Sequence, residues 1–182
     1  MTTNTLFDGT AITVMISKEQ IVEKVATLGA AISETYKDSG KGLVLVGLLR
    51  GSVIFMADLC RHVSLPHELD FMTVSSYGAG TTSSGDVKIL KDLDGDICGK
   101  DVLIIEDIID SGRTLDKVVA LLNTRNPNSV EICTLVSKPS RREVDVPVKF
   151  LGFEVPDKFI VGYGLDYDQK YRHLPYIGEI GL

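Results

Sequence analysis

Residues 102–115, VLIIEDIIDSGRTL, narrow the possible folds more than any other stretch of the chain. Residues 102–105 are an unbroken aliphatic run. Such a run makes a strand buried on both faces, and strands of that kind occur where helices cover both sides of a mostly parallel sheet. The apolar spacing over 112–122 predicts a helix entered through Ser111 and Gly112. The same grammar recurs elsewhere. Residues 43–46, LVLV, predict a buried strand, Arg50, Gly51 and Ser52 a turn, and residues 53–59 a helix. Further strands are predicted over 71–74, 130–136, 149–152 and 159–162. Ser17 stands three residues before Gln20 and ahead of Ile21, Val25, Leu28 and Ile32, a capping box feeding a helix that should stop by Gly40. Strands alternating with helices predict an α/β fold with a mostly parallel central sheet flanked by helices.

At 182 residues with 44% apolar content, the chain is long enough to bury the core of a single domain spanning 1–182. After about residue 139 the alternation gives way to short strands and turns. That segment, with the polar N-terminal arm, is expected to form a small hood over the strand ends. The formal charge of -6 argues against nucleic-acid or anionic-membrane partners, which require a dense cationic surface. Cys60, Cys98 and Cys133 form neither a disulfide framework nor a thiolate metal site, which fits a reducing cytoplasm. No secretory signal or bilayer-length apolar run is present, so neither export nor membrane insertion is expected. Asp92 to Asp96 imitates a calcium loop, but its glycine is misplaced and no glutamate closes it; a surface turn is expected.

The chemistry concentrates after residue 105. Glu106, Asp107 and Asp110 crowd the carboxyl end of a buried strand, where open α/β sheets bind ligands. Free N–H groups at a helix start, the Ser111 and Thr114 hydroxyls and the compact Gly112 suit a phosphate monoester over 110–114. Two carboxylates beside an anion site would repel a bare phosphate. They make sense if the ligand also brings hydroxyls, a metal ion or developing positive charge, and a sugar phosphate with magnesium brings all three. No Walker loop or dinucleotide fingerprint is present, which disfavours P-loop and nicotinamide-dehydrogenase classes. An ordinary buried strand and helix cap would account for Asp110 and Gly112 but not for Glu106 and Asp107.

The segment resembles the phosphoribosyl pyrophosphate signature of type I phosphoribosyltransferases. Over residues 14–177 the chain is similar to the bacterial hypoxanthine phosphoribosyltransferases of that family. The likeness rests on VGLLRGS at 46–52, on Asp70, Phe71, Met72 and SSYG at 75–78, on the signature itself, on Ser137, Lys138 and Pro139, and on PDKFIVGYGLDY at 156–167. It implies the type I phosphoribosyltransferase fold and transfer of the 5-phosphoribosyl group from phosphoribosyl pyrophosphate to hypoxanthine, with guanine second, to give purine nucleoside monophosphates.

By that resemblance Glu106 and Asp107 hold the ribose hydroxyls and the magnesium bound there, and Asp110, Ser111, Gly112, Arg113 and Thr114 hold the 5-phosphate. Asp110 is also the general acid/base at purine N7, while the Arg113 side chain is expected to contribute little. Leu49, Arg50 and Gly51 form the pyrophosphate loop, often with a cis peptide before the basic residue, and Arg172 is a second pyrophosphate contact. Lys138 donates to the purine 6-oxo group, Phe159 stacks on the base and Ile160 offers backbone contacts. Asp166, counted with the base pocket, is the carboxylate at a second magnesium near the pyrophosphate. Ser76 and Tyr77 open a mobile lid. A homodimer or homotetramer is implied on the same ground. His62, His67 and His173 are read as non-catalytic, and Arg141 and Arg142 as a solvated turn. Two other readings compete: a nucleic-acid-binding regulator that kept the fold, disfavoured by the acidic composition, and a uracil or xanthine enzyme, of which Lys138 with Phe159 disfavours uracil.

Overall fold

The computed structural model describes residues 2–6, 9–76 and 87–181. Two strands, β1 (Thr3–Thr5) and β2 (Ala11–Ile16), precede helix α1 (Lys18–Tyr36), so the N-terminal arm is ordered into sheet rather than left as a polar tail. The capping box forms as expected: Ser17 N donates to Gln20 Oε1 at 2.8 Å and Gln20 N to Ser17 Oγ at 3.3 Å. α1 buries Ile21, Val25, Leu28 and Ile32 along one stripe.

Strand β3 (Leu43–Leu49) leads through a turn into α2 (Val53–Leu59), followed by β4 (His67–Ser76) and β5 (Val87–Lys91). Then come β6 (Asp101–Ile109), α3 (Arg113–Asn123), β7 (Ser129–Ser137), β8 (Phe150–Glu154), β9 (Ile160–Val161) and β10 (Ile177–Ile180). Six strands form the central sheet in the order β5-β4-β3-β6-β7-β8, parallel throughout except for the antiparallel edge strand β5. Alternation along β3 and β6 splits the core between the two faces. Leu43, Leu45, Leu103 and Ile105 pack with α1 and α2, whereas Val44, Val46, Val102 and Ile104 pack with Leu115, Val118 and Leu122 of α3.

The second sheet, β1-β2-β10-β9, is antiparallel and joins the two ends of the chain. Ile16, Ile160, Tyr163, Leu165 and Ile177 attach it to the core on the α1/α2 side. β8 belongs to the central sheet, so the late segment does not act as one unit. Asp92 to Asp96 is a turn, as expected, with Asp94 N and Gly95 N donating to Asp70 Oδ2 at 2.9 and 3.0 Å. Among the described residues no helix is long and apolar enough to cross a membrane. Of the expected lid, Ser76 ends β4, and Tyr77 with residues 78–86 lies outside the described residues.

The order of the central sheet locates the site. The chain leaves β3 toward β4 on one side and returns to β6 on the other, so β3 and β6 flank the point where the winding reverses. Their ladder stops at Gly47↔Ile105, while β6 stays paired with β7 as far as Ile109↔Ser137. Beyond residue 105 the two central strands part, and open α/β sheets bind their ligands in a crevice of this kind.

Candidate active site

β6 runs four residues further than the aliphatic run predicted, because the β7 ladder and Ile108 and Ile109 carry it past the acidic pair. Glu106 and Asp107 therefore lie within a strand and point to opposite faces of the sheet. Glu106 shares a cavity of about 150 Å³ with Ile108, Ile109, Asp110, Ser111, Gly112, Thr114 and Leu115. Its Oε2 is closed off from solvent and accepts no hydrogen bond from the described residues. Burial, and after it the neighbouring Asp107, push the Glu106 carboxyl well above the usual range. A buried acceptor with no internal partner costs stability, and a hydroxyl or a cation is the partner it suits.

The loop that follows is braced from behind. Gly112 has φ +84°, and a Cβ there would come within 2.7 Å of Val144 O, so glycine is required by the backbone conformation and by a neighbour in the same chain. Glu143 N and Val144 N each donate to Ser111 O at 3.0 Å. Arg113 turns away to Glu143, its Nε donating to Oε2 at 2.6 Å, in keeping with a minor role for its side chain at the site. The free N–H groups of the first turn of α3 remain for an anion.

Asp107 faces the end of β3. Burial raises its carboxyl to about 6, despite the hydrogen bond from Ile108 N at 2.9 Å and the attraction of Arg172. Any side chain on Gly51 would overlap this carboxylate, so Gly51 is demanded by packing as well as by the backbone contacts expected of it. The Leu49–Arg50 peptide is cis, and Ser52 Oγ donates to Leu48 O at 2.6 Å, pinning the turn. Arg50 Nη1 donates to Gln169 Oε1 at 3.0 Å, and Arg172 Nη2 reaches the same oxygen at 3.3 Å. Arg172 also pairs with Asp166 Oδ1 at 2.7 Å and donates from Nη1 to Gly164 O at 2.7 Å. The two arginines expected at one ligand group thus converge, with Asp166 beside them rather than beside Lys138.

Because its pKa is raised in the fold, Asp107 takes up a proton on folding between its ordinary value near 3.8 and about 6. Stability from this group is therefore lost as pH rises through that window. In ligand-free protein, Asp107→Asn should raise unfolding stability by about 2–3 kcal/mol at pH 7.5, with little gain at pH 4. Urea unfolding of both proteins across pH measures this, and a gain independent of pH would contradict it.

On the other side of the loop, Lys138 is buried at the end of β7. Its ammonium stands 3.8 Å from Asp110 Oδ1 and 3.9 Å from Asp157 Oδ1. It is not the solvated strand-end charge that the residue type alone would suggest. Phe159 is 45% exposed and meets the edge of Tyr167 at 5.4 Å, an aromatic face held open at the surface, while Ile160 is buried beside it. Ile180 N donates to Phe159 O at 3.1 Å, fixing that strand on β10.

One expectation fails. Arg142 is not in a solvated turn: its Nη2 donates to Ser137 Oγ at 2.8 Å, and its Nη1 is buried without a partner among the described residues. The 139–146 segment folds back over the 110–114 loop and takes this arginine inward, whereas Arg141 stays exposed near Asp157. Gln169 and Asp157 escaped the sequence reading. Gln169 carries no charge to mark it, and Asp157 sits in the 156–167 stretch, where only Phe159, Ile160 and Asp166 are given roles. Among the described residues, no three His, Cys, Asp or Glu side chains gather to hold a metal ion, so Glu106, Asp107 and Asp166 do not form one protein-built centre.

The comparisons agree with this geometry. The phosphoribosyl transferase domain family matches residues 15–168. The hypoxanthine phosphoribosyltransferase of Salmonella typhimurium is 66% identical over 169 residues, covering 93% of this chain and 95% of that protein. The hypoxanthine-guanine phosphoribosyltransferase of Bacillus subtilis is 54% identical over 167 residues, 92% of each chain. A crystal structure of the hypoxanthine phosphoribosyltransferase from Staphylococcus aureus superposes with a TM-score of 0.88 at 49% identity, over 92% of this chain and 90% of that one. A split β3/β6 crevice, an acidic strand running into a helix-start loop, and these matches over nearly the whole chain lead to one conclusion: the chain belongs to the phosphoribosyltransferase family.

Proposed function

We propose that the chain is a purine-salvage enzyme, transferring the 5-phosphoribosyl group of phosphoribosyl pyrophosphate to hypoxanthine or guanine and releasing pyrophosphate. The observation that carries this reading is Glu106, one of whose carboxylate oxygens is buried with no partner among the described residues, lining the same cavity as the helix-start loop 110–114. An acceptor for sugar hydroxyls beside a cradle for phosphate suits a ribose 5-phosphate.

In the reaction, a ring nitrogen of the purine bonds to ribose C1 as the bond from C1 to the pyrophosphate oxygen breaks. The base loses a proton, and Asp110, within the loop and near Lys138, takes it from N7. Lys138 donates to the 6-oxo group, Phe159 stacks on the base and backbone groups at Ile160 meet its edge. The loop 110–114 holds the 5-phosphate, and Glu106 and Asp107 hold the ribose hydroxyls. Leu49, Arg50, Gly51 and Arg172 receive the leaving pyrophosphate, where two guanidinium groups meet its growing charge. The metal inferred is magnesium, which would offset phosphate charge when bound. Glu106 and Asp107 would hold it on the ribose side and Asp166 on the pyrophosphate side, carboxylates that among the described residues form no closed centre by themselves.

Ser76 and Tyr77 are assigned to a lid that excludes water from a reactive ribosyl centre. Three free cysteines suit a reducing cytoplasm, and a homodimer or homotetramer is the assembly expected of such an enzyme. The test is direct: purified protein with magnesium, phosphoribosyl pyrophosphate and hypoxanthine should yield inosine monophosphate and pyrophosphate, with guanine also accepted. Binding of phosphoribosyl pyrophosphate without nucleotide formation would instead favour a sensor.

A further inference from the structure

Residues 162–164 form a turn of unusual backbone. Gly162, Tyr163 and Gly164 have φ of +101°, +51° and +101°, so a non-glycine residue is held in left-handed conformation between two glycines. Tyrosine rarely adopts that region without compensation, and its side chain here finds some. The buried Tyr163 hydroxyl donates to Asp58 Oδ2 at 2.6 Å, a bond between residues 105 positions apart. Asp58 lies on α2, the helix that starts directly after the Arg50–Gly51 turn, and Arg61 pairs with its other oxygen. Burial and the Asp58 carboxylate both push the Tyr163 hydroxyl upward, so it remains a donor.

The turn so anchored touches both halves of the pyrophosphate side. A Cβ on Gly164 would overlap Gly51 O, so the two glycines are in backbone contact. Gly164 also exchanges two bonds with Arg172: its N donates to Arg172 O at 2.9 Å, and its O accepts from Arg172 Nη1 at 2.7 Å. Tyr163 N donates to Leu174 O at 2.8 Å. Displacing this turn would shift the Arg172 guanidinium and the Gly51 backbone together, while Lys138, Phe159 and the 110–114 loop rest on other supports.

We infer that Asp58 and Tyr163 are positioning residues that clamp the 162–164 turn onto α2 and so set the spacing between the Arg50–Gly51 loop and Arg172 for the pyrophosphate group. This rests on the assignment of those residues to pyrophosphate in the function proposed above. Neither side chain needs to touch substrate.

The hydrogen bond is to a charged acceptor, and losing one misplaces a site without emptying the core. Asp58 keeps Arg61 and is 36% exposed, so it is not left buried and unpaired when the hydroxyl goes. Tyr163→Phe should therefore fold, and its KM for phosphoribosyl pyrophosphate should rise about tenfold, with KM for hypoxanthine changed less than about twofold. Asp58→Ala should reproduce that split, Asp58→Asn, which keeps an acceptor, should largely restore the parent value, and the double variant Asp58→Ala/Tyr163→Phe should be no worse than either single one. Product-inhibition constants for pyrophosphate should weaken in parallel.

Thermal unfolding of each variant reads the fold separately. If both KM values rise together, or additivity holds in the double variant, the clamp is only a structural contact and the inference is wrong. If Tyr163→Phe fails to fold, the Asp58→Ala and Asp58→Asn pair carries the same test. A parent protein that makes no nucleotide would overturn the proposed function itself, whereas an active parent with an unaltered Tyr163→Phe overturns only the clamp.

Discussion

Asp110→Asn is expected to lower kcat by about ten- to ten-thousand-fold, with affinity for phosphoribosyl pyrophosphate largely kept. The asparagine fills the same volume at the mouth of the loop, so the backbone N–H groups of 111–114 and the brace from Glu143 and Val144 onto Ser111 O stay in place. The lost property is the ability to accept a proton. Asp110 is half exposed and stands 3.8 Å from the Lys138 ammonium, a cation that would also face the base. Without a base at that position the purine must attack C1 with its N7 proton still in place, a poorer nucleophile. Single-turnover kinetics together with direct measurement of phosphoribosyl pyrophosphate binding separate the two effects. Near-normal turnover would remove Asp110 from the chemistry and leave it as the partner that orients Lys138.

How much of this was legible beforehand follows from the kind of signal each element carries. The capped helix and the LVLV strand announce themselves locally, through a side-chain cap and through apolar residues on both faces, and they form close to where the pattern predicts. β6 was cut short because the pattern ends at the first carboxylate, but a strand hydrogen-bonded to a neighbour does not stop for a change in side-chain polarity. The consequence is functional. As residues of a loop, Glu106 and Asp107 could share one ligand atom; as strand neighbours they face opposite ways, Glu106 into the cavity it shares with the 110–114 loop and Asp107 toward Gly51 and Arg172.

The second sheet was hidden for a different reason. β2 pairs with β10 across the whole chain, Ile16 with Ile177 and Ile12 with Ile180, and no local window contains both partners. Gln169 shows the same limit at the level of a site. It is a neutral residue of ordinary type in a turn, and only the folded chain reveals that its Oε1 lies between Arg50 and Arg172. The signature residues stand out in the sequence because the phosphate and ribose proposed for them would demand special groups at fixed spacing. The residues that aim them face no such demand and leave little trace in the sequence.

In the proposed function base selection falls to Lys138, and here the structure sharpens what residue type could only suggest. A lysine at a strand end is usually solvated, yet this one is buried with its ammonium between two carboxylates at 3.8 and 3.9 Å, neither close enough for a strong hydrogen bond. It retains donor capacity for a third partner. A 6-oxopurine offers an acceptor there, while adenine offers an amino group, so that the ammonium would lose its acceptor and face another donor. Sites built on one buried polar contact reject such an analogue by roughly ten-thousand-fold or more. Phe159 cannot discriminate, because every purine has a face to stack on. Lys138→Gln, whose amide can donate or accept, should therefore cut kcat/KM for hypoxanthine by about a hundredfold and narrow its lead over adenine, with phosphoribosyl pyrophosphate affinity little changed. The fold should tolerate the change, since Asp110 and Asp157 are each about half exposed and water can take the place of the ammonium. Paired kinetics on hypoxanthine and adenine for both proteins decide the matter. A variant that keeps the parent's rate and preference would reduce Lys138 to a strut between Asp110 and Asp157, and selection would then fall to the backbone around Ile160.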